Sequence, residues 1–212
     1  GSGWNEMCWD GIGKEYRWIK GICGGEISYY TSNDQKNFLN PKGMYGWTWE
    51  AAAAKYHISY MLASSAPGGK YATVERFREA GIASGYSFRV SNCRTNGSET
   101  RLTVSNQGIA PIYRDAYFAI GNVQSDISLR GLLPGKGLDI VIPAALVDAD
   151  DLQIVSPYIL PTQKIEFETG EFTAVDNVEV PNSSAVKQLK DGQIVIIRNN
   201  CKYTLMGQMI DK

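Results

Sequence analysis

Hydrophobic and polar positions follow two different patterns along this chain, and the change between them falls near residue 85. Before it, Ile19 to Ile27 is a short apolar run ending in Gly24-Gly25-Glu26, the pattern of a buried strand that opens into a loop. The polar stretch 28–45, with Asn33-Asp34, Asn40-Pro41 and Gly43, reads as a long loop of the kind that lines a site. Thr48 is a helix cap ahead of Ala51 to Ala54, and Trp49, Ala53 and Tyr56 or His57 recur at helical spacing, so a helix is predicted over about 48–56. His57 to Leu62 then alternates as a strand, and Thr73 caps a second helix that ends around Gly81 and Gly85. A shorter helix is expected near Lys14 to Ile19. Strand, helix, strand, helix is the order of β-α units, which bury a parallel sheet under helices.

From Tyr86 onward the pattern becomes short alternating runs, at 86–92, 100–105, 112–120, 126–131, 137–142, 151–160 and 163–168. Turn clusters such as Asn96-Gly97-Ser98 and Leu133-Pro134-Gly135 separate them. About seven short strands at this spacing predict an antiparallel sandwich, immunoglobulin-like or jelly-roll-like. Its centre is Arg101 to Phe118, where alternating runs flank a bend at Asn106 and Gly108, and which reads as two strands of one antiparallel sheet. Pro111 cannot donate to a ladder, so the second strand is expected to begin near Ile112.

Beyond Gly170 the chain turns polar through Ser184, as a linker does. Gln188 to Gln208 then reads as a hairpin around Asn199-Asn200, with a first strand so apolar at Ile194 to Ile197 that it requires a partner surface. The predicted organisation is a partial β-α region over 1–84, a β-sandwich over 85–172, and a linker with a hairpin tail over 173–212. The fold class is therefore α+β, a partial barrel-derived unit packed on an immunoglobulin-like antiparallel sandwich. Two β-α units cannot close a barrel. Their sheet must lean on the sandwich, on an upstream barrel region or on a second chain.

Composition excludes several function classes. Lys plus Arg number 21 against 22 Asp plus Glu, so no field of one sign draws nucleic acid, and no nucleic-acid partner is expected. No run of 18 apolar residues exists, so no membrane span is expected either. Four cysteines lack CxxC or Cys/His spacing, so neither a metal site nor a cofactor is expected; Cys8 and Cys23 are the pair closest along the chain. Gly1-Ser2-Gly3 reads as a cloning remnant. Twelve Tyr, five Trp and six Phe supply rings that serve cores and sugar platforms alike.

Candidate chemistry gathers in the first region. Glu26 follows two glycines at the carboxyl end of a strand, where barrel enzymes place reacting groups. Glycoside hydrolysis needs a second carboxyl group about 5–10 Å away, and Asp34 or Glu50 could supply it. The plainer role for Glu26 is to bind loop backbone. His57, the single histidine, could bond a sugar hydroxyl or meet Glu26 at a neighbouring strand end; it could equally be a cap or core histidine. Tyr29 and Tyr30 at one end of the 28–45 loop and Trp47 and Trp49 at the other would make a sugar-binding platform, unless a Trp serves to dock the helix on its sheet.

Two resemblances bear on this reading. Val104-x-Asn106-x-Gly108-x-Ala110-Pro111-x-Tyr113, with Tyr56-His57-Ile58-Ser59-Tyr60, resembles a bacterial family, the domain of unknown function 4832, whose members usually follow a glycosidase-like barrel. The resemblance covers roughly Trp4 to Phe167 and implies no established activity. Gly192-Gln193-Ile194 through Ile196-Ile197-Arg198, then Tyr203 and Leu205-Met206-Gly207-Gln208, is similar to the sorting tails of Bacteroidetes proteins exported by type IX secretion. That similarity implies a secreted or cell-surface location. The expected function is a secreted, non-catalytic glycan-associated module, carbohydrate-binding or accessory. The alternatives are the C-terminal portion of a glycoside hydrolase with Glu26 as a catalytic carboxylate, and a structural cell-surface spacer.

Overall fold

Capping chemistry fixes the two helices that carry most of the first region. The structure, a computed structural model, describes residues 3–14, 16–27, 32–62 and 69–170, and the backbone of strands at 186–190, 193–198, 201–203 and 209–211. Helices run over Gly3–Gly11 (α1), Arg17–Lys20 (α2), Ser32–Asn37 (α3), Trp49–Tyr56 (α4) and Val74–Ile82 (α5). Thr48 accepts from the Ala51 amide at the start of α4, and Thr73 from the Arg76 amide at the start of α5, both at 3.2 Å. Two helices depart from expectation. The N-terminal aromatic segment forms α1, and the stretch read as loop contains α3, where Asn37 Nδ2 donates to the Asn33 carbonyl at 2.9 Å and closes the turn.

Strands Cys23–Glu26 (β1) and Ile58–Leu62 (β2) form a two-stranded parallel sheet, with α3 and α4 in the crossover between them. Leu39, Trp49, Ala53, Ile58 and Ala80 make a small apolar cluster that binds α4 and α5 to β2. Trp49 anchors it by donating its indole N–H to the Ala80 carbonyl at 2.9 Å.

Beyond residue 85 lie Phe88–Thr95 (β3), Thr100–Asn106 (β4), Tyr117–Ile120 (β5), Val123–Gln124 (β6), Gly137–Ile142 (β7), Leu152–Val155 (β8) and Phe167–Thr169 (β9). They form a four-stranded sheet in the order β7-β4-β3-β9 and a three-stranded sheet in the order β6-β5-β8. Inward side chains of both sheets, Phe88, Val90, Val104 and Ile140 from one and Phe118, Ile120 and Ile154 from the other, meet in one core. The protein is thus α+β, with sheets predominating after residue 85.

One central expectation is corrected here. The two strands flanking Asn106 do not pair with each other: β4 lies between β3 and β7, and β5 lies in the other sheet. The bend is a crossing between sheets, held by a fully buried Asn106. Its Oδ1 accepts from the amides of Ser87 at 3.1 Å and Gly108 at 2.9 Å, and its Nδ2 donates to the carbonyls of Ala110 at 2.9 Å and Leu132 at 2.8 Å. Every polar atom of that side chain is satisfied, which is what its burial demands. Residues 126–131 also form no strand. Leu129 and Gly131 donate singly to Ala116 and Ile112, at 2.8 and 2.9 Å, without a continuous ladder.

By contact the chain divides into two units, Gly1–Ala174 and Val175–Lys212. The second is an antiparallel meander of Val186–Lys190 (β10), Gln193–Arg198 (β11), Cys201–Tyr203 (β12) and Met209–Asp211 (β13). Arg198 lies opposite Cys201, so β11 and β12 form the hairpin predicted around residues 199 and 200. β10 pairs with the other edge of β11, which gives the apolar strand partners on both sides. The linker expected beyond Gly170 through Ser184 lies outside the described residues.

Candidate functional site

The Gly43-Met44-Tyr45-Gly46-Trp47 segment builds the rim of a cleft. Met44 and Trp47 exchange backbone hydrogen bonds at 2.8 and 3.0 Å, closing a two-residue turn whose central residues, Tyr45 and Gly46, lie at φ +53° and +83°. Positive φ at both positions is the signature of a type I′ hairpin turn. Gly46 adopts it without cost, but a tyrosine there is held in a sparsely populated region. Tyr45 is fixed by its hydroxyl, which donates to Asp34 Oδ1 at 2.7 Å. That bond, with the charge of Asp34, raises the Tyr45 phenol above its ordinary pKa.

The cleft encloses about 390 Å³. Glu26 and Ile27 line it from the end of β1, Asp34 and Phe38 from α3 and the turn after it, and Trp49, Ala52 and Tyr56 from α4. Tyr45 and Trp47 stand at its mouth, 59% and 42% exposed, whereas Trp49 is buried in its floor. Lys55 projects over the Trp47 ring, with Nζ 4.7 Å from the centroid, and lies 5.5 Å from that of Tyr56. It also forms an ion pair with Glu6, another lining residue, whose hydrogen bond raises the Lys55 pKa.

Of the residues singled out from sequence, the structure brings Glu26, Trp47 and Trp49 to this one cleft. It also brings Asp34 there as a second carboxylate, but not Glu50. Glu50 pairs with Arg76 at 2.5 Å, and that hydrogen bond holds its carboxyl below the usual range. Trp49 joins α4 to α5 through its indole bond, where the expected docking role was of the helix on its sheet. Tyr29 and Tyr30 lie outside the described residues.

His57 is elsewhere, and the expected meeting with Glu26 is corrected by the register of the sheet. Parallel pairing sets Glu26 opposite Leu62 and Cys23 opposite Ile58. His57 precedes Ile58, so it lies at the amino end of β2 while Glu26 lies at the carboxyl end of β1, roughly 15 Å away along the strands. It caps α4 in the left-handed conformation, its ring stacks on Trp18 with centroids 3.7 Å apart, and its Nδ1 is 2.6 Å from the Ile109 carbonyl. This is the cap histidine of the earlier alternatives, and it ties the helical region to the sheet region.

Gly24 is required by a close approach between strands. It lies in extended strand, and a Cβ there would come within 2.4 Å of the Tyr60 ring on the neighbouring strand. Tyr45, Tyr56 and Lys55 were not singled out from sequence as site residues. The one signal for Tyr45 is its position between Gly43 and Gly46, a spacing that permits a tight turn.

Comparison of the chain with protein-family models, curated proteins and solved structures returns no match. No described helix is long and apolar enough to cross a membrane, and no group of described His, Cys, Asp and Glu residues is arranged to hold a metal ion. Among the described cysteines, Cys8, Cys23 and Cys93 are free thiols.

Proposed function

We propose that this chain is a secreted or cell-surface, non-catalytic module that binds glycans in the cleft beneath Tyr45 and Trp47. The observation that carries this reading is the pair of exposed rings on a tight turn above a carboxylate-bearing cleft. Apolar faces of a sugar ring pack on aromatic side chains, and its hydroxyls bond to a few convergent polar groups. In this reading residues 1–84 are a partial barrel-derived β-α region, the two sheets beyond form an immunoglobulin-like sandwich, and the chain belongs to the domain of unknown function 4832. The parallel β1–β2 pair and the shared core of the two sheets support that assignment. The tail's similarity to type IX sorting signals supports export.

A second reading, a glycoside hydrolase remnant, draws on Glu26 and Asp34 lining the same cleft. The first is preferred because Asp34 is buried and already accepts the Tyr45 hydroxyl, so it is committed to holding the turn. Titrating oligosaccharides against tryptophan fluorescence in wild type and Trp47→Ala, with a parallel reducing-sugar assay, separates the two. Binding without turnover, lost in Trp47→Ala, is expected. Turnover abolished by Glu26→Gln would establish the enzyme instead, and unchanged spectra with every glycan would remove the binding reading.

A further inference from the structure

The charge of the cleft narrows the kind of sugar it takes; this inference rests on the glycan-binding reading above. The acidic and basic side chains that line it are Glu6, Glu26 and Asp34, all carboxylates. Tyr45, a potential hydroxyl donor, is engaged with Asp34. The charged groups that line the cleft are thus all acceptors, and its remaining side-chain donors, such as the Trp47 indole N–H and the Tyr56 hydroxyl, are neutral, which suits a cationic ligand. The protein itself demonstrates the fit. The Lys55 ammonium lies over the rings of Trp47 and Tyr56 and against the Glu6 carboxylate, the arrangement by which aromatic sites recognise ammonium groups. Glu26, exposed at the strand end, makes no ion pair among the described residues and faces the same space.

We propose that the cleft selects a glycan carrying a primary ammonium, an amino sugar, whose charge pairs with Glu26 while its ring packs at the Tyr45–Trp47 rim. Lys55 is the resident competitor for the Trp47 ring face. An amino group on a sugar gains both the ring contact and the carboxylate, whereas acetylation removes the charge that pairs with Glu26.

The test is calorimetric titration of the full chain, at mildly acidic pH, with a glucosamine oligomer, its fully N-acetylated counterpart and a linear polyamine of equal charge. Wild type is expected to bind the free-amine sugar about tenfold more tightly than the acetylated one, a difference of about 1.4 kcal/mol. Glu26→Gln is expected to remove most of that preference, and Lys55→Met to tighten the free-amine sugar severalfold and the acetylated one less. Near-ultraviolet circular dichroism checks that both variants keep the wild-type fold. Equal affinity for the two sugars overturns the inference and leaves glycan binding standing. A polyamine bound as tightly as the amino sugar overturns it in favour of a bare cation site. Failure of both sugars to bind overturns the glycan reading along with it.

Discussion

Among the described residues, the sheet region after residue 85 buries fifteen side chains in one core, while the helix-rich region before it buries five around Trp49. The largest rings of the sheet core are sealed, whereas several rings of the helical region are exposed. Phe88 and Phe118 are sealed between sheets, with Phe118 edge-on to Phe167 at 5.2 Å. Tyr45, Trp47 and Tyr60 remain exposed on the thinner region, where the cleft lies. Apolar burial is the main source of stability, so the sheets carry the fold and the helical region is left able to present rings to a ligand.

The largest effect should come from the thick core. Phe118→Ala is expected to cost about 3–5 kcal/mol, measured by urea unfolding, because the cavity lies between two sheets that cannot collapse freely. Trp47→Ala should cost less than about 1 kcal/mol, as an exposed surface substitution. Equal costs for the two would break the comparison. Asn106→Ala is expected to follow at about 2–3 kcal/mol, since it strands two amides and two carbonyls at the crossing between sheets.

His57→Ala tests whether the regions are tied together. Losing the Ile109 bond and the Trp18 stack should cost about 1–2 kcal/mol, with amide exchange accelerating in α4 before it does in β4. Simultaneous acceleration in both would show one indivisible core. The smallest effect concerns pH. Glu50 has its folded-state pKa depressed by Arg76, so its contribution is present above the unfolded carboxyl pKa and is lost as pH falls through the folded value. Exposure of the Glu50 side chain keeps this below about 1 kcal/mol. Glu50→Gln should flatten the acid limb of the stability curve, read from melting temperature at stepped pH.

What the sequence disclosed were features settled locally. Thr48 and Thr73 cap their helices because their hydroxyls reach amides three residues on, and β3, β4 and β7 reveal themselves by alternation. What it withheld depends on distant partners. Nothing near Asn106 shows that its side chain bonds Leu132, and so the crossing resembles a hairpin bend. Parallel register is equally silent: Glu26 and His57 both adjoin strand ends in sequence, yet only pairing shows that they are opposite ends. That Glu26, Trp47 and Trp49 come near one another was legible from their strand-end and loop-end positions. Tyr45 was hidden because a tyrosine at positive φ is stabilised by Asp34, which lies in a helix eleven residues earlier.

Backbone and indole chemical shifts of the ¹⁵N-labelled chain during titration with a glucosamine oligomer test the central claim most directly. Saturable shifts are expected at Tyr45, Gly46, the Trp47 indole N–H and the Glu26 amide, with β3, β4 and β5 unmoved. Shifts confined to the sheet region, or none at saturating sugar, would contradict it.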